Sequence, residues 1–265
     1  MVKKYWRFLQ NSFAGNLEFR GALIVWFLVE LLTLISSIFI WTAIFRSNNT
    51  VGSYNYQSIV QYYLLVPLIG AFTSIYISEH LPERIRLGEI SIQVIKPYNV
   101  ALGYLFRSLG TKLVQLTFKL PVYFLIYLLI IAFTPIRINL FFLALSLFIA
   151  LFSLLLHFLI DFCLSCVAFW SDHVWYLSHL KFIMLMVFGG LTFPLDLLPI
   201  QLTQVFYWLP FKYLYYLPVK VASGNFNQIA WTKEILLFLT WISIFLILSK
   251  LLWKKGLIKY GAYGN

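Results

Sequence analysis

Residues Leu140 to Trp170 read LFFLALSLFIALFSLLLHFLIDFCLSCVAFW, and this stretch decides the fold. Its one charged side chain at neutral pH is Asp161. Such an apolar run is typical of a membrane-spanning helix, because about 20 residues suffice to cross the hydrocarbon core. As a helix it would be about 46 Å long, against a core of about 30 Å. We therefore expect it to tilt or to project into the cytosol.

The rest of the chain has the same character. Its 265 residues are 62% hydrophobic and 11% charged, whereas soluble domains carry roughly 25% charged residues. The predicted class is therefore all-α, a polytopic membrane protein with about six transmembrane helices. The apolar runs that predict these spans are Gly21–Phe45, Tyr56–Ile77, Leu113–Phe133, Leu140–Trp170, Trp175–Phe193 and Glu234–Trp253.

The basic residues predict the orientation. The net charge is +11, but these residues lie between the apolar runs or near their ends, so we interpret them as topology determinants and not as a nucleic-acid surface. Most of them fall in segments on the same side of the membrane as the N-terminus. Because basic residues are enriched on the cytosolic side, this predicts that both termini are cytosolic. Those in the predicted outer segments are Arg46, Arg137, Lys212, Lys220 and Lys233.

The residues ahead of the first span predict an amphipathic helix. Between Lys3 and Arg20, aromatic and aliphatic residues recur at near-helical spacing among basic ones, which is typical of a helix that lies in the membrane interface. The run Gly21–Phe45 is too long for the core of a cleavable signal peptide, so we expect it to remain as a span.

The inner connection, residues 78–112, contains the signals of a short helix. Pro82 suits the first position of a helix, Glu83 suits its first turn, and Gly88 suits a left-handed cap. A short charged helix at the membrane surface would be able to dock another protein. A plain solvated loop is the alternative.

The outer connection, residues 194–233, is apolar and aromatic but interrupted by prolines. Its pieces are too short to span, which is typical of re-entrant or interfacial helices surrounded by protein or by a water-filled cavity. Gly189 and Gly190, just before it, would let the preceding helix bend. A lid over a pathway and a purely structural hairpin are both compatible with this pattern.

These features, in this order, resemble an ABC-2-type permease, the transmembrane subunit of an ABC exporter, in the subgroup whose ATPase is a separate chain. The resemblance covers nearly the whole chain. It is carried by NLEFRG (Asn16–Gly21), PERIRLGEISIQVIKP (Pro82–Pro97), AFW (Ala168–Trp170), GGLTFPLDLLP (Gly189–Pro199) and LPFKYLYYLP (Leu209–Pro218).

The resemblance implies a single permease domain over residues 1–265, in the inner or plasma membrane of a bacterial cell. It implies an interfacial connecting helix at 1–20, a coupling segment at 78–112 that docks on the ATPase, and an outer re-entrant lid at 194–233. The residues that map to the coupling helix are Glu83, Arg84, Arg86, Gly88 and Glu89. Those that map to the lid are Gly189, Gly190, Phe193, Pro194 and Pro199.

The resemblance also implies a pathway, lined by the second and fifth spans, between this chain and a second permease of the same or a dissimilar sequence. The aromatic residues on these two spans would suit amphiphilic cargo. The candidate pathway residues are Glu30, Tyr62, Tyr63, Phe72, Tyr76 and Phe188, although such aromatics more often serve helix packing. The sequence contains no G-x-x-x-x-G-K-[ST] loop. We therefore expect ATP and Mg to be bound by a partner ATPase, and no catalytic, cofactor or metal site in this chain.

An ion- or proton-coupled secondary transporter is the alternative function, because ionisable residues inside spans are candidates for ion pathways. Glu30 would pair with a neighbouring helix or a substrate cation, and Lys119 would reach towards the inner headgroups. His157 and Asp161, spaced i and i+4, would hydrogen-bond each other, unless Asp161 lies hydrated near the inner interface. We interpret the C-x-x-C pair Cys163 and Cys166 as packing residues. An enzyme is disfavoured, because neither H-E-x-x-H nor G-x-S-x-G occurs.

Overall fold

The computed structural model of the chain describes residues 2–18, 20–133, 136, 138–171, 174–224 and 230–262. Within these ranges the regular structure is helical, apart from an isolated β-bridge between Val51 and Tyr54. The predicted all-α class is confirmed. Arg137, which contributed to the predicted orientation, lies outside the described residues, as do residues 225–229 of the outer segment.

The α-helices follow one another along the chain with short connections. They are α1 Val2–Glu18, α2 Arg20–Ile44, α3 Tyr56–Thr73, α4 Leu81–Arg86, α5 Ile90–Ile95, α6 Val100–Phe133, α7 Leu140–Cys166, α8 Trp175–Phe188, α9 Ile200–Trp208, α10 Tyr216–Ala222 and α11 Trp231–Ala262. Short 3₁₀ helices occupy Ile77–Glu79, Val167–Phe169, Leu195–Leu197 and Pro210–Tyr213.

Four helices in the described part of the chain are long and apolar enough to cross a membrane: Leu23–Ile44, Val100–Ala132, Leu140–Phe169 and Trp231–Tyr260. The protein is thus a multi-pass membrane protein. The other two predicted spans form shorter helices, since α3 has 18 residues and α8 has 14. A helix the length of α8 rises about 21 Å, less than the core of about 30 Å. The count of six spans stays a prediction, as does the outer re-entrant hairpin.

Helix α6 begins earlier than the sequence indicated. Residues 100–112, expected to belong to the cytosolic connection, continue the helix of the third span. Helix α1 packs along this part, where the Ser12 hydroxyl donates to the Arg107 carbonyl at 2.8 Å. A Cβ atom at Gly110 would lie 2.4 Å from the Leu9 carbonyl oxygen. Gly110 therefore serves a close helix–helix contact and does not end a helix.

Helix α7 lies at the centre of the structure and α2 at its edge. In the most apolar 18-residue stretch of α7, 44% of the residues are buried, against 6% in that of α2. Two α7 hydroxyls hold the outer segment: Ser146 donates to the Pro218 carbonyl and Ser153 to the Tyr213 carbonyl, each at 2.6 Å. The outer segment is thus attached to the most buried of the four long spans.

Helix α11 joins the two ends of the molecule. Near its start, Glu234 pairs with Lys212 of the outer segment at 2.7 Å. Near its end, the Tyr260 hydroxyl lies 3.4 Å from where a Cβ atom would stand at Gly88, just after α4. The two contacts are about 39 Å apart along the helix axis. The predicted coupling helix and the outer segment therefore lie at opposite ends.

Candidate functional site

The short helix α4 forms where the sequence predicted it. Pro82 lies in its first turn together with Glu83. The helix ends where Gly88 adopts a φ of 80°, a left-handed conformation that glycine adopts without steric cost. The Leu87 amide donates to the Glu83 carbonyl at 2.9 Å and closes the last turn.

The buried side of α4 and α5 is apolar and fixed. Leu81, Ile85 and Ile90 are buried in one core cluster with residues of α7 and α11. This packing holds both short helices in one orientation, which isolated helices of six residues would not keep in water.

The opposite side carries what we call the inner surface: Leu87, Ile92 and Ile95 with the charged residues Glu83 and Arg86. Ile95 is 84% exposed, Ile92 62% and Leu87 57%. Beside them Arg86 pairs with Glu83 at 2.6 Å. Apolar side chains grouped with charges outside the long spans are typical of a docking surface.

The remaining charges of the segment lie close to this surface. The Arg86 hydrogen bonds hold the pKa of Glu83 below its ordinary value, so this carboxylate is ionised at neutral pH. Glu89 is exposed after the Gly88 turn, and Arg84 is half-buried. The structure thus brings the predicted coupling residues into one small segment.

Asp161 of α7 anchors the turn that leads into α4. It is fully buried, and its Oδ2 accepts hydrogen bonds from the amides of Ile77 at 2.5 Å and Ser78 at 3.0 Å. Its Oδ1 accepts from the Ser78 hydroxyl at 2.7 Å and from Lys181 of α8. The expectation that Asp161 is hydrated at the inner interface is wrong, because the turn after α3 and helix α8 cover it.

Two lysines complete this anchor at the end of α3. Lys181 also donates to the Ile75 carbonyl at 3.1 Å, and Lys112 of α6 donates to the Ser74 hydroxyl at 2.9 Å and the Gly70 carbonyl at 3.3 Å. Ammonium groups suit the last turn of a helix, where carbonyls lack partners. The charge pattern of the sequence predicts for both lysines only a role in orientation. The available signal for a buried role is that each lies within a helix that also carries apolar runs.

His157 does not join this network. Its side chain is 1% exposed, and its two ring nitrogens have no hydrogen-bond partner among the described residues. The predicted hydrogen bond between His157 and Asp161 is wrong, because Lys181 and the residues of the turn occupy the carboxylate.

Glu30 of α2 pairs with a neighbouring helix, which was one of the two predicted alternatives. Lys119 of α6 donates to one carboxylate oxygen, and the Tyr123 hydroxyl donates to the other at 2.8 Å. Lys119 therefore does not reach for the headgroups. Both charges are neutralised within the spans, where unpaired charges are costly.

The predicted lid begins at the end of α8. The helix stops at Phe188, and Gly190 adopts a φ of 77°. From α3, the Tyr62 hydroxyl donates to the Gly190 carbonyl and that of Tyr63 to the Thr192 carbonyl at 2.5 Å. Hydrogen bonds from the second predicted span thus fix the turn that follows α8.

The other predicted lid and pathway residues are spread over this end of the chain and the length of α3. Phe193 and Phe72 are half-buried, Pro194 is buried, Pro199 is exposed, and Tyr76 is 48% exposed. Phe188 packs edge-on against Phe206 of α9, with 4.5 Å between the two ring centres. Since Tyr62 and Tyr63 are buried and hydrogen-bonded, their environment favours packing. The pathway itself stays a prediction.

Asp196, which the sequence analysis did not single out, organises the outer segment. It accepts hydrogen bonds from the hydroxyls of Tyr54 and Tyr207 at 3.0 Å and of Tyr216 at 2.5 Å, and from Lys220 at 3.1 Å. Burial alone would raise the pKa of this carboxyl, but Lys220 and the tyrosine hydrogen bonds hold it below its ordinary value. A lone carboxylate in an aromatic segment was the available signal.

Across the described residues, no three His, Cys, Asp or Glu side chains lie close enough to hold a metal ion. Cys163 and Cys166 are both buried and free. The Cys163 thiol lies 3.7 Å from the Phe245 carbonyl of α11, as expected for a packing residue.

A family model described as ABC-2 family transporter protein matches residues 31–264. The match includes α4, the Asp161 anchor and the whole outer segment. No curated protein matches the chain.

Proposed function

The chain belongs to the ABC-2 family of transporter proteins, and from this premise we propose that it is the membrane-spanning subunit of an ATP-driven exporter. Membership makes it a membrane permease of an ABC transporter and implies a partner ABC ATPase. The proposal adds that the ATPase is a separate chain that binds ATP and Mg, that a second permease subunit completes the pathway, and that transport is outward.

The observation that carries the proposal is the two-sided character of α4 and α5. One side is locked into the core through Leu81 and Ile90, while the inner surface exposes Ile95, Ile92 and Leu87 beside an ion pair. A surface that is rigidly held and still apolar fits a partner protein that covers it. We assign that partner as the ATPase, with Arg84, Gly88 and Glu89 at the edge of the contact.

The same segment has a physical connection to the opposite end. Asp161 attaches the turn before α4 to α7, and Ser146 and Ser153 attach α7 to the outer segment. In the proposed mechanism, closure of the ATPase pushes α4 and α7 together, and the outer segment, residues 194–233, opens as a lid. ATP drives this change because its binding favours one of the two states.

Proton- or ion-coupled transport has less support from the charges. A coupling site needs an ionisable group that can exchange its ion, yet Glu30 and Asp161 each carry a lysine partner. This arrangement favours fixed structural pairs.

Purification of the tagged chain from its native membranes tests the proposal. We expect an ABC ATPase to co-purify, and its ATP hydrolysis to depend on the permease. Ile95→Asp should remove both the co-purification and the stimulation, because a buried unpaired carboxylate would stand in the contact. The matched control is Ile200→Asp on α9, where the isoleucine is 71% exposed at the other end of the molecule.

Two outcomes would contradict the proposal. Full stimulation in Ile95→Asp would place the ATPase contact elsewhere. Proton-driven uptake by purified protein in vesicles, with no ATPase in the preparation, would favour the secondary transporter.

A further inference from the structure

A cavity of about 260 Å³ lies between the outer segment and the start of α11, at the end of the molecule away from α4. The residues that line it are Asp196, Tyr207, Lys212, Tyr216, Leu217, Lys220, Ala230, Lys233 and Glu234. Charged and hydroxyl groups dominate this lining, although the helices around it are apolar.

The carboxylates of the cavity are fully engaged. Glu234 accepts from Lys212 at 2.7 Å and from the Tyr213 hydroxyl at 3.0 Å. Both oxygens of Asp196 accept from Lys220 at 3.1 Å, in addition to their tyrosine donors. Neither carboxylate is left to attract a cation.

Lys233 supplies the remaining charge. Its ammonium group has no hydrogen-bond or ion-pair partner among the described residues and stands 5.1 Å from the centre of the Trp208 ring. The lining therefore holds a lysine in excess over the two ion pairs Lys212–Glu234 and Lys220–Asp196. Residues 225–229, of sequence NFNQI, carry no charged side chain. The cavity lining, with three lysines and two carboxylates, thus carries a net charge of +1.

The surface beside the cavity is apolar. Trp208 is 58% exposed, and Leu236 is 61% exposed. Lys233 and Leu236, three residues apart on α11, lie on the same face of that helix. A ligand whose anionic group binds Lys233 would thus find an apolar surface directly beside it, on a helix long enough to cross the membrane.

We propose that this cavity binds the headgroup of an anionic phospholipid of the surrounding leaflet. Lys233 donates to the phosphate, and the acyl chain lies along Leu236 and Trp208. A monoanionic phosphodiester supplies the missing charge, and the bilayer supplies the tail. The inference is independent of the ATPase, because no residue of the inner surface takes part.

Photolabelling of the full-length protein in lipid nanodiscs tests this site. The probes are photoactivatable phosphatidylglycerol and, for comparison, a phosphatidylcholine with the same photoactivatable chain. We expect the anionic probe to label the peptides of α9 and of the start of α11 about tenfold more strongly, since a charge-assisted hydrogen bond corresponds to roughly that factor. Lys233→Gln should reduce this labelling about tenfold.

The matched control is Lys255→Gln, an exposed lysine at the other end of α11, which should leave the outer labelling unchanged. Equal labelling by the two lipids, or full labelling in Lys233→Gln, would overturn the proposal. Soluble glycerol 3-phosphate should not compete. If it abolishes the labelling, the site takes a free phosphate ester and the assignment to a lipid is wrong.

Discussion

Asp161 on α7 and Lys181 on α8 form an ion pair that excludes water, with side chains 0% and 5% exposed. The same carboxylate accepts the amides of Ile77 and Ser78. One buried charge therefore joins α7, α8 and the turn that leads into the coupling helix. Removing one partner alone from such a pair strongly destabilises the folded protein, because the other charge stays buried without compensation.

Replacing Lys181 by methionine should lower the free energy of unfolding by about 3 kcal/mol. In the double variant Asp161→Asn/Lys181→Met no uncompensated charge remains, so part of the loss should be recovered. Thermal unfolding of the purified protein in detergent measures both. A double variant less stable than Lys181→Met would show that the bonds to the turn outweigh the ion pair.

Gly190 should not tolerate a side chain. An alanine Cβ there would lie 2.7 Å from the Tyr62 hydroxyl and 2.8 Å from the Tyr216 Cβ, at a φ of 77°. Gly190→Ala should therefore lower the free energy of unfolding by about 1–3 kcal/mol. Gly15→Ala is the control, because a Cβ at this position in α1 would meet nothing within 4 Å. It should be neutral or stabilising by up to about 1 kcal/mol. Equal effects of the two changes on the unfolding temperature would argue against a fixed turn after α8.

Some of these features could be predicted from the sequence, and others could not. Pro82 and Gly88 bracket α4 because both act on their own backbone, so local pattern suffices. The partners of Asp161 lie on other helices, so the intrahelical spacing to His157 gave a wrong partner. The role of Gly110 was likewise out of reach, because the close approach of α1 that it permits is a tertiary contact. The family resemblance, confirmed by the match, rests on segments distributed along the chain and is insensitive to such details.

The pH dependence of stability should report the pair of Asp196 and Lys220. The pKa of Asp196 is held below its ordinary value of 3.8, so the carboxylate contributes stability above that pH. This contribution is lost as the pH falls through the folded-state pKa. Lys220→Met removes the opposite charge that sustains it. The gap in unfolding temperature between wild type and Lys220→Met should be widest near pH 7 and narrow below about pH 3.8.

Thermal unfolding in detergent between about pH 7 and pH 3 measures this gap. Lys255→Met, at an exposed position far from any carboxylate of the outer segment, should show little difference from wild type across the range. A gap for Lys220→Met that does not change with pH would mean that the lysine stabilises through packing and not through its charge.

The pair of Glu30 and Lys119 should be replaceable by neutral residues if it is structural. Lys119→Met alone leaves a carboxylate unpaired within the spans and should lower the free energy of unfolding by about 2 kcal/mol. In Glu30→Gln/Lys119→Met both charges are absent, so stability and ATP-dependent transport should be largely retained. Unfolding temperature and transport by reconstituted vesicles are the measurements. Normal stability with complete loss of transport would assign Glu30 to the pathway.

The ion pair of Glu83 and Arg86 allows recognition by the ATPase to be separated from stability of the helix. Their side chains are 53% and 48% exposed, and exposed ion pairs contribute little to the stability of a protein because water screens them. Glu83→Arg should therefore leave the unfolding temperature nearly unchanged. It should nevertheless reduce stimulated ATP hydrolysis about tenfold, because a reversed charge at a docked surface meets a partner arranged for the original sign.

The swap Glu83→Arg/Arg86→Glu restores the ion pair within the helix but inverts its positions. Stimulation of ATP hydrolysis should therefore remain low in this double variant. Arg46→Glu, exposed at the opposite end, is the control that should stimulate normally. Recovery of hydrolysis in the swap would show that the pair serves the helix alone, and the contact with the ATPase would then rest on the apolar residues of the inner surface.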